Sequence, residues 1–399
     1  MIEILIIADD QTGMLDTGAP FAQKGIHTEA LMHVPTVEEL RESDATVAVI
    51  NTESRHIPPE EAYKRVYEIA RIGAQAGVKI LYKKTDSVLR GPVGAELAAL
   101  GDALEGEVYF FPAYPKAGRI TKDGIQYVNG VPISESAFRK DELNPVEESY
   151  IPGILQSTWE LPVKLVGESQ LKSWEPEKKR QIVVFDGENE EKFQQAVEYV
   201  TNKHSIQLVA GCAGLARELA RSLPLTQKEM GNLPAMDKMF VLCGSSNPIT
   251  RQQMDHGEKH GFLRYTLTRE DLEGTQQIAA ARKACQEGKS VILDMEYLSP
   301  EMLGITKEEL GELVVSSLGQ ALIRCMDVLE GYVLFLTGGD TLSCFIRKSG
   351  CQRIEVKGEL SPGIAVNVLH IGDREIYAVS KSGGYGSQEI LEDLKEGKI

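Results

Sequence analysis

Positive charge is scarce in this sequence. Its 43 lysines and arginines are outnumbered by 59 aspartates and glutamates, which gives the 399-residue chain a net charge of −16. Nonspecific binding to nucleic acids or anionic membranes depends on clustered cations that replace counterions. The net negative charge therefore argues against a nucleic acid or a membrane as partner. It excludes no fold and no class of enzyme. A small anion could still be bound where cations are gathered locally.

Long apolar runs and paired cysteines are also missing. No run reaches the roughly 18 apolar residues that span a bilayer, and the chain opens on a strand-like pattern without a signal-peptide pattern. We therefore expect a cytoplasmic protein. The six cysteines include no C-x-x-C pair, so we expect buried free thiols and predict no metal ligand set. His256 and His260 stand four residues apart, but Gly257 is expected to interrupt their helix.

The sequence does contain a repeated order of apolar run, polar turn and helical segment. In its first instance, the apolar residues 4–8 are followed by a polar turn and by a helix that we expect to begin near Leu15. This order is typical of a doubly wound α/β fold with parallel strands. It occurs twice, before and after a linker over residues 223–237 that lacks periodicity. We predict two α/β domains with mainly parallel sheets, residues 1–225 and 236–399. Residues 116–153 interrupt the first series and are interpreted as a hairpin insertion or flap.

Charged and hydroxyl side chains are concentrated in the turns that follow the N-terminal strands. Such turns lie along one edge of a parallel sheet, where α/β proteins bind ligands. Arginine binds a carboxylate with two parallel hydrogen bonds, lysine adds a compact charge, and a carboxylate could accept a proton from an alcohol. We predict a site for a small hydroxy acid, although the charges could instead be solvated and the aspartates could cap helices. The candidate residues are Asp9, Asp10, Arg55, Lys84, Thr85, Asp86, Ser87 and Arg90.

Glycine-rich turns follow the strands of the C-terminal half. Glycine lets the backbone approach a ligand closely, and free amides at a helix N-terminus favour phosphate oxygens. No complete G-x-x-x-x-G-K-[ST] or G-x-G-x-x-G is present, so an ordinary P-loop or NAD fingerprint is not supported. Three such turns predict a nucleotide site, and the candidate residues are Ser245, Ser246, Gly338, Gly339, Asp340, Thr341, Gly383 and Gly384. A nucleotide domain joined to a hydroxy-acid domain implies phosphoryl transfer across the cleft between them, with Mg²⁺.

Motifs along nearly the whole chain occur in the order typical of one enzyme family. They are Ala8-Asp9-Asp10-Gln11-Thr12-Gly13, Asp16-Thr17-Gly18, Lys84-Thr85-Asp86-Ser87 with Arg90-Gly91, Asn129-Gly130-Val131-Pro132, Asn144-Pro145-Val146, the Gly-Ser and Gly-Gly-Asp-Thr turns, Gly358-Glu359-Leu360-Ser361-Pro362-Gly363 and the closing Gly-Gly-Tyr-Gly. The chain thereby resembles the four-carbon acid sugar kinases. Gln11, Met14-Leu15 and Asn51 depart from the family pattern beside the acid pocket, which bears on the substrate more than on the reaction class.

The resemblance implies an ATP-dependent kinase that phosphorylates D-threonate, D-erythronate or 3-oxo-tetronate at the 4-hydroxyl. It places the sugar acid on the N-terminal domain and ATP on the C-terminal domain, at the candidate residues given above. Asp86 or Asp10 would orient or deprotonate the attacking hydroxyl, and Mg²⁺ would bridge the phosphates of ATP. The oligomeric state is left open, a homo-oligomer included.

Two other functions fit the same two-domain pattern. One is a hydrolase or isomerase of sugar acids with a regulatory nucleotide site. The other is a sugar-acid binding protein or sensor that does not turn over its ligand. Only a kinase releases ADP in proportion to the acid supplied, which separates it from the hydrolase or isomerase. Replacement of Asp86 by Asn separates it from the binding protein, because a binding protein should lose affinity at most, whereas the kinase should lose turnover.

Overall fold

The computed structural model describes residues 2–141, 144–177, 179–204, 206–227, 234–245, 247–269, 272, 275–296, 298–361, 363–381 and 384–398, without the side chains of Thr12, Lys307, Glu308 and Asp340. The chain divides into two compact units, residues 1–229 and 230–399. This division falls between the predicted domain limits at 225 and 236. Both units combine helices with a mainly parallel sheet, so the predicted fold class is confirmed.

The N-terminal unit contains a parallel sheet of strongly apolar strands. These are β1 (Ile4–Ala8), β2 (Thr28–Leu31), β3 (Val47–Asn51), β4 (Ile80–Lys84), β5 (Glu107–Phe111), β9 (Val163–Val166), β10 (Gln181–Phe185) and β11 (Leu208–Gly211), paired in the order β2-β3-β1-β4-β11-β5-β10-β9. All of these pairs are parallel. Strands such as β1 and β4 are buried along their whole length, as expected for a sheet covered on both faces.

Helices and a small antiparallel sheet complete this unit. The helices are α1 (Gln11–Ala22), α2 (Val37–Glu42), α3 (Pro59–Ala76), α4 (Val93–Leu104), α5 (Ile151–Thr158), α6 (Glu168–Leu171), α7 (Glu190–Lys203) and α8 (Ala213–Ser222), with short 3₁₀ turns at Pro115–Ala117, Ile133–Glu135 and Ala137–Lys140. The small sheet, formed by β6 (Arg119–Lys122), β7 (Ile125–Val128) and β8 (Val131–Pro132), lies in the predicted insertion. The main core lies between the sheet and helices that include α3 and α4.

The C-terminal unit begins as a parallel sheet and ends as an antiparallel one. Its strands are β12 (Met239–Cys243), β13 (Leu263–Leu267), β14 (Val291–Met295), β15 (Val333–Thr337), β16 (Arg353–Ser361), β17 (Ile364–Ile371) and β18 (Arg374–Lys381), in the order β13-β14-β12-β15-β18-β17-β16. In the sheet, the five neighbouring strands from β13 to β18 are parallel, and β17 pairs antiparallel with both β18 and β16. The helices are α9 (Pro248–Lys259), α10 (Thr275–Gln286), α11 (Pro300–Leu303), α12 (Lys307–Cys325), α13 (Gly339–Ser349) and α14 (Ile390–Lys395), with a 3₁₀ turn at Met326–Val328.

Two local predictions were wrong. Helix α1 begins at Gln11 rather than near Leu15, because the Asp10 side chain accepts a hydrogen bond from the Gly13 amide and caps the helix four residues earlier. Gly257 does not interrupt α9, which continues to Lys259 because this glycine is packed in the interior of the unit. The six cysteines are free and buried, as predicted. In the described part of the chain, no helix has the length and apolarity needed to cross a membrane.

Candidate functional site

Strand register brings three N-terminal turns side by side. Ala8, at the end of β1, is the register partner of Asn51 on β3 and of Lys84 on β4. The side chains that follow these three strands therefore emerge at the same edge of the sheet, as the sequence predicted. This arrangement depends on parallel pairing, which places the carboxyl ends of neighbouring strands together.

The guanidinium of Arg55, in the turn after β3, joins carboxylates from the other two turns. Its Nε lies 2.7 Å from Asp9 Oδ2, its Nη1 lies 2.8 Å from Asp10 Oδ2, and its Nη2 lies 3.7 Å from Asp86 Oδ1. Burial alone would lower the pKa of Arg55, but the charges of Asp9 and Asp86 raise it. Arg55 is therefore permanently charged and is the centre of an ion-pair network, here called the Arg55 cluster, that also includes Lys84 and Arg90.

Asp9 and Lys84 form the buried side of the Arg55 cluster. The Lys84 Nζ lies 3.7 Å from Asp9 Oδ1, and both side chains are almost completely buried. Burial alone would raise the pKa of Asp9, but Lys84, Lys83 and Arg55 together hold it well below its usual range. Burial would lower the pKa of Lys84, yet the nearby aspartates raise it. Both groups are charged at neutral pH, and each compensates the other.

Asp86 is occupied by its own turn. Its Oδ2 accepts hydrogen bonds from the amides of Val88 and Arg90, both at 3.2 Å, and from Arg90 Nε at 3.0 Å. Its Oδ1 accepts one from Arg90 Nη2 at 2.9 Å. Burial alone would raise the pKa of Asp86, but the Arg90 hydrogen bonds and the Arg55 charge lower it. These contacts make Asp86 an anchor for Arg90 and a weak base.

Asp10 differs from the other two aspartates by its exposure. Its side chain is 27% exposed, whereas those of Asp9 and Asp86 are 2% and 7% exposed. Its Oδ1 caps α1 at the Gly13 amide, and a Cβ at Gly13 would lie 2.4 Å from that oxygen and 2.8 Å from Lys84 Nζ. Glycine at position 13 thus permits this close packing. The capping interpretation holds for Asp10, and the same carboxylate also belongs to the Arg55 cluster.

Sequence reasoning missed a buried layer beneath the Arg55 cluster. Lys83 is fully buried and lies 3.2 Å from Glu96 Oε2, and Ser54 Oγ donates a hydrogen bond to the same carboxylate. Burial raises the pKa of Glu96, an effect only partly opposed by Lys83. The available signal was a glutamate within the otherwise apolar residues 93–101. This layer supports the strand ends on which the cluster is built.

The insertion contributes two contacts to the same site. Asp141 Oδ2 accepts a hydrogen bond from Arg90 Nη1 at 2.9 Å, and Gln126 Nε2 donates to the Ser87 carbonyl at 3.1 Å. Beside them is a cavity of about 460 Å³ whose walls include Arg55, Arg90 and residues 144–148. Thr85 Oγ1, by contrast, is buried without a hydrogen-bond partner among the described residues. Of the N-terminal candidates, the structure thus brings together the charged side chains, while Thr85 and Ser87 lie in the same turn.

The glycine turns of the C-terminal unit also meet. Cys243 on β12 is the register partner of Thr337 on β15, which in turn pairs with Lys381 on β18. A Cβ at Gly244 would lie 2.1 Å from Thr341 Oγ1, so only glycine allows the first two turns to approach this closely. A Cβ at Gly384 would lie 3.7 Å from Asn247 Nδ2.

Helix N-termini complete this second site, here called the glycine cradle and formed by residues 244, 245, 247, 338–341 and 384–386. Helix α9 begins at Pro248 and α13 begins at Gly339, so both open directly from glycine turns. Free amides in such positions suit the oxygens of a polyphosphate, which supports the prediction of a nucleotide site. Ser245 is in the cradle, and its Oγ accepts a hydrogen bond from the Asn247 amide at 3.2 Å. Ser246 and Gly383 lie outside the described residues, and Gly339 and Asp340 are described only as the backbone of the first turn of α13.

Comparison with known proteins gives both units a family. Residues 4–219 match the model of a sugar-binding N-terminal domain, and residues 240–391 match that of a nucleotide-binding C-terminal domain. The chain belongs to the four-carbon acid sugar kinase family. It is 29% identical to a D-threonate kinase of Salmonella typhimurium, with 98% of this chain and 97% of the relative aligned. It is 26% identical to a D-erythronate kinase of Heliobacterium modesticaldum, over 98% of this chain and 95% of the relative.

Further relatives of this kinase agree with that assignment. A 3-oxo-tetronate kinase of Salmonella typhimurium is 26% identical over 98% of both chains. The crystal structure of a Haemophilus influenzae protein superposes with a TM-score of 0.78, at 21% identity and over 98% of this chain and 99% of the other, which supports the fold. The predicted family and the predicted class of enzyme, a sugar-acid kinase that acts on an alcohol group, are confirmed.

Proposed function

We propose that this kinase transfers the γ-phosphoryl group of ATP to the 4-hydroxyl of a four-carbon sugar acid of the threonate, erythronate or 3-oxo-tetronate type. The observation that carries the proposal is the Arg55 cluster, in which two arginines and a lysine gather at one sheet edge of a sugar-binding domain. Each cation is paired with an aspartate of the cluster, but a planar guanidinium has five N–H donors and can bind a further carboxylate with two hydrogen bonds. The named relatives act on acids of that class.

Arg55, Arg90 and Lys84 would hold the carboxylate and hydroxyls of the acid. Arg90 is the most exposed of the three, with a side chain 24% exposed against 11% for Arg55 and 7% for Lys84. Thr85 supplies a buried hydroxyl without a protein partner among the described residues, which an oxygen of the substrate could satisfy. Asp9 and Asp86 would keep these cations oriented.

Asp10 is proposed to orient the attacking hydroxyl. It is the most exposed carboxylate of the cluster, whereas the oxygens of Asp86 are occupied by Arg90 and by the turn. Phosphoryl transfer through a loose transition state needs alignment and charge neutralisation more than a strong base. A carboxylate that hydrogen-bonds the hydroxyl can meet that need. As the new bond forms from the 4-hydroxyl oxygen to the γ-phosphorus, the bond from that phosphorus to the bridging oxygen breaks and ADP leaves with its electron pair. The hydroxyl proton passes to Asp10 and from there to solvent.

The glycine cradle is proposed to bind ATP. Its backbone amides would contact the phosphates. Mg²⁺ bound to the nucleotide would neutralise the charge of its phosphates. Among the described residues, no group of three histidines, cysteines or carboxylates placed as metal ligands lies in the cradle, so the phosphates and water would provide most of its ligands.

The test is acid-dependent ADP release with Mg²⁺-ATP and a panel of D-threonate, D-erythronate and 3-oxo-tetronate. We expect one or more of these acids to raise ADP release, and phosphorus NMR of the product to place phosphate on O4. A sugar-acid hydrolase, isomerase or non-catalytic sensor would release no ADP in response to any acid. Phosphate on another oxygen would leave the kinase class intact and refute the proposed position.

Two conservative variants test the different roles proposed for Asp10 and Asp86. Asp10→Asn retains a good helix cap but removes the charge, so we expect a lower kcat with little change in the KM for ATP. Asp86→Asn loosens Arg90, so its main effect should be a higher KM for the acid. If Asp86→Asn instead abolishes kcat while Asp10→Asn is active, the roles of the two residues are exchanged.

A further inference from the structure

One turn of the glycine cradle accepts hydrogen bonds from a buried glutamine side chain. Gln253 on α9 is fully buried. Its Nε2 lies 3.0 Å from the carbonyl oxygen of Tyr385, 3.1 Å from that of Gly386 and 2.8 Å from that of Ser387. A single amide group thus faces three consecutive carbonyls of the segment 384–387, here called the closing turn.

Lys381 holds the same turn from the other side. It is the last residue of β18 and is 2% exposed. Its Nζ donates hydrogen bonds to the Tyr385 carbonyl and to Thr250 Oγ1, both at 3.2 Å. Because Thr250 lies on α9, the lysine ties the closing turn to the helix that also carries Gln253.

These contacts also connect the closing turn to the other two turns of the cradle. Helix α9 begins at Pro248, directly after the first glycine turn. The Lys381 carbonyl accepts a hydrogen bond from the Gly338 amide at 3.2 Å, which links β18 to the second glycine turn. The position of the closing turn relative to both neighbours is therefore set largely by α9 and Lys381.

We propose that Gln253 and Lys381 are positioning residues for ATP, which hold the closing turn in its nucleotide-binding shape without themselves contacting the reacting atoms. A glycine-rich turn without such anchors would lose conformational entropy when it binds a ligand, and pre-ordering the turn removes that cost from binding. The inference rests on the proposed function, because it takes the glycine cradle as the ATP site.

The principal test is Gln253→Glu, with Gln252→Glu as the matched control. A glutamate has nearly the size of glutamine but, when ionised, cannot donate to the three carbonyls. Gln252 is the preceding residue of the same helix and is exposed, so its variant adds the same charge without touching the closing turn. Because the three carbonyls of the closing turn would lose this donor, we expect the KM for ATP to rise about tenfold or more.

The pattern of kinetic constants distinguishes positioning from a general loss of structure. For Gln253→Glu, kcat and the KM for the acid should stay within about twofold of wild type, because the variant should weaken the binding of ATP equally in the ground state and in the transition state. Amide hydrogen exchange should accelerate at residues 384–387 and remain unchanged in β1 and β4. Gln252→Glu should match wild type in every measurement.

Lys381→Met provides an independent variant, should Gln253→Glu fail to fold. It keeps an unbranched side chain of similar length but removes the donor to Tyr385 and Thr250, and the same rise in the KM for ATP is expected. A folded Gln253→Glu or Lys381→Met protein with unchanged ATP affinity, measured also with a non-hydrolysable analogue, contradicts the inference and leaves the proposed function standing. A wild-type protein that binds no ATP overturns both.

Discussion

The two candidate sites of this kinase differ in the groups that form them, which are charged side chains in one and mainly backbone in the other. The Arg55 cluster consists of long charged side chains, three carboxylates and three cations, packed so closely that most are buried. The glycine cradle consists of backbone, with glycines where a Cβ would collide and neutral side chains such as Gln253 behind it. The contrast fits the ligands proposed for the two sites: a small acid can be selected by placed charges, whereas a polyphosphate can be bound by rows of amides. Substitutions should therefore harm the first site through charge and the second through shape.

The largest effect is expected from Asp9→Asn in the Arg55 cluster. The change leaves Lys84 and Arg55 without their buried counter-charge, and removal of one partner of a buried ion pair costs about 3–5 kcal/mol. Urea unfolding should show this loss in the transition of the N-terminal unit. Asp327→Asn, which removes an exposed partner of Arg282, is the control and should lower stability far less, because solvent screens an exposed ion pair. Equal losses in the two variants would mean that burial does not strengthen the cluster.

Arg55→Lys should affect the acid and spare the nucleotide. Lysine keeps the charge but cannot contact three carboxylates in one plane, so we expect the KM for the acid to rise about tenfold to a hundredfold. The KM for ATP should be unchanged. Arg65→Lys on α3, where the guanidinium is 40% exposed, serves as the control. A comparable rise in both Michaelis constants would contradict the proposal that the N-terminal unit binds the acid and the C-terminal unit binds ATP.

Gly244→Ala tests whether a change in the glycine cradle affects the nucleotide and spares the acid. The added Cβ would lie 2.1 Å from Thr341 Oγ1, so one of the two turns must move. We expect the KM for ATP to rise about tenfold, by analogy with other overpacked sites that lose 1–3 kcal/mol, with the KM for the acid unchanged. Gly261→Ala is a control, because a Cβ there meets no atom within 4 Å; its positive φ predicts a loss of stability without a change in ATP affinity.

The smallest effect is a pH dependence of stability at Lys381. Burial lowers the pKa of Lys381 from 10.5 to about 8, against which the neighbouring Cys243 acts only weakly. Between these two values the unfolded chain binds more protons than the folded one, so this group makes the unliganded protein more stable as pH rises. Denaturant titrations from pH 7 to about pH 10 should show wild type gaining relative to Lys381→Met. A constant difference between the two proteins would show that Lys381 does not titrate in this interval.

Local sequence signals were sufficient for the strands and for the ligand-bearing turns. Runs such as Ile4–Ala8 are apolar throughout, which predicts a strand covered on both faces, and the charged or glycine-rich residues that follow mark the turns. Boundaries were less predictable, because the start of α1 depends on the capping contact of Asp10. The continuation of α9 through Gly257 was missed for a similar reason, since packing outweighs the weak helix propensity of glycine.

Partners distant in sequence could not be predicted. Glu96 beneath Lys83, Asp141 beside Arg90 and Gln253 behind the closing turn each lie far along the chain from the group they contact. The sequence showed that Asp86 and Asp10 are both aspartates in polar turns, but it did not show that one carboxylate is occupied by Arg90 and the other is more exposed. That difference is what assigns them separate proposed roles.

The sequence by itself determined the two α/β units, the family and the kinds of chemistry that each half can perform, because these depend on residue type and on order along the chain. Tertiary structure alone decided which carboxylate stays open, which cations are compensated and which side chains hold the glycine turns in place. Those properties depend on burial and on distances of a few ångströms between residues that the parallel register of the strands brings together.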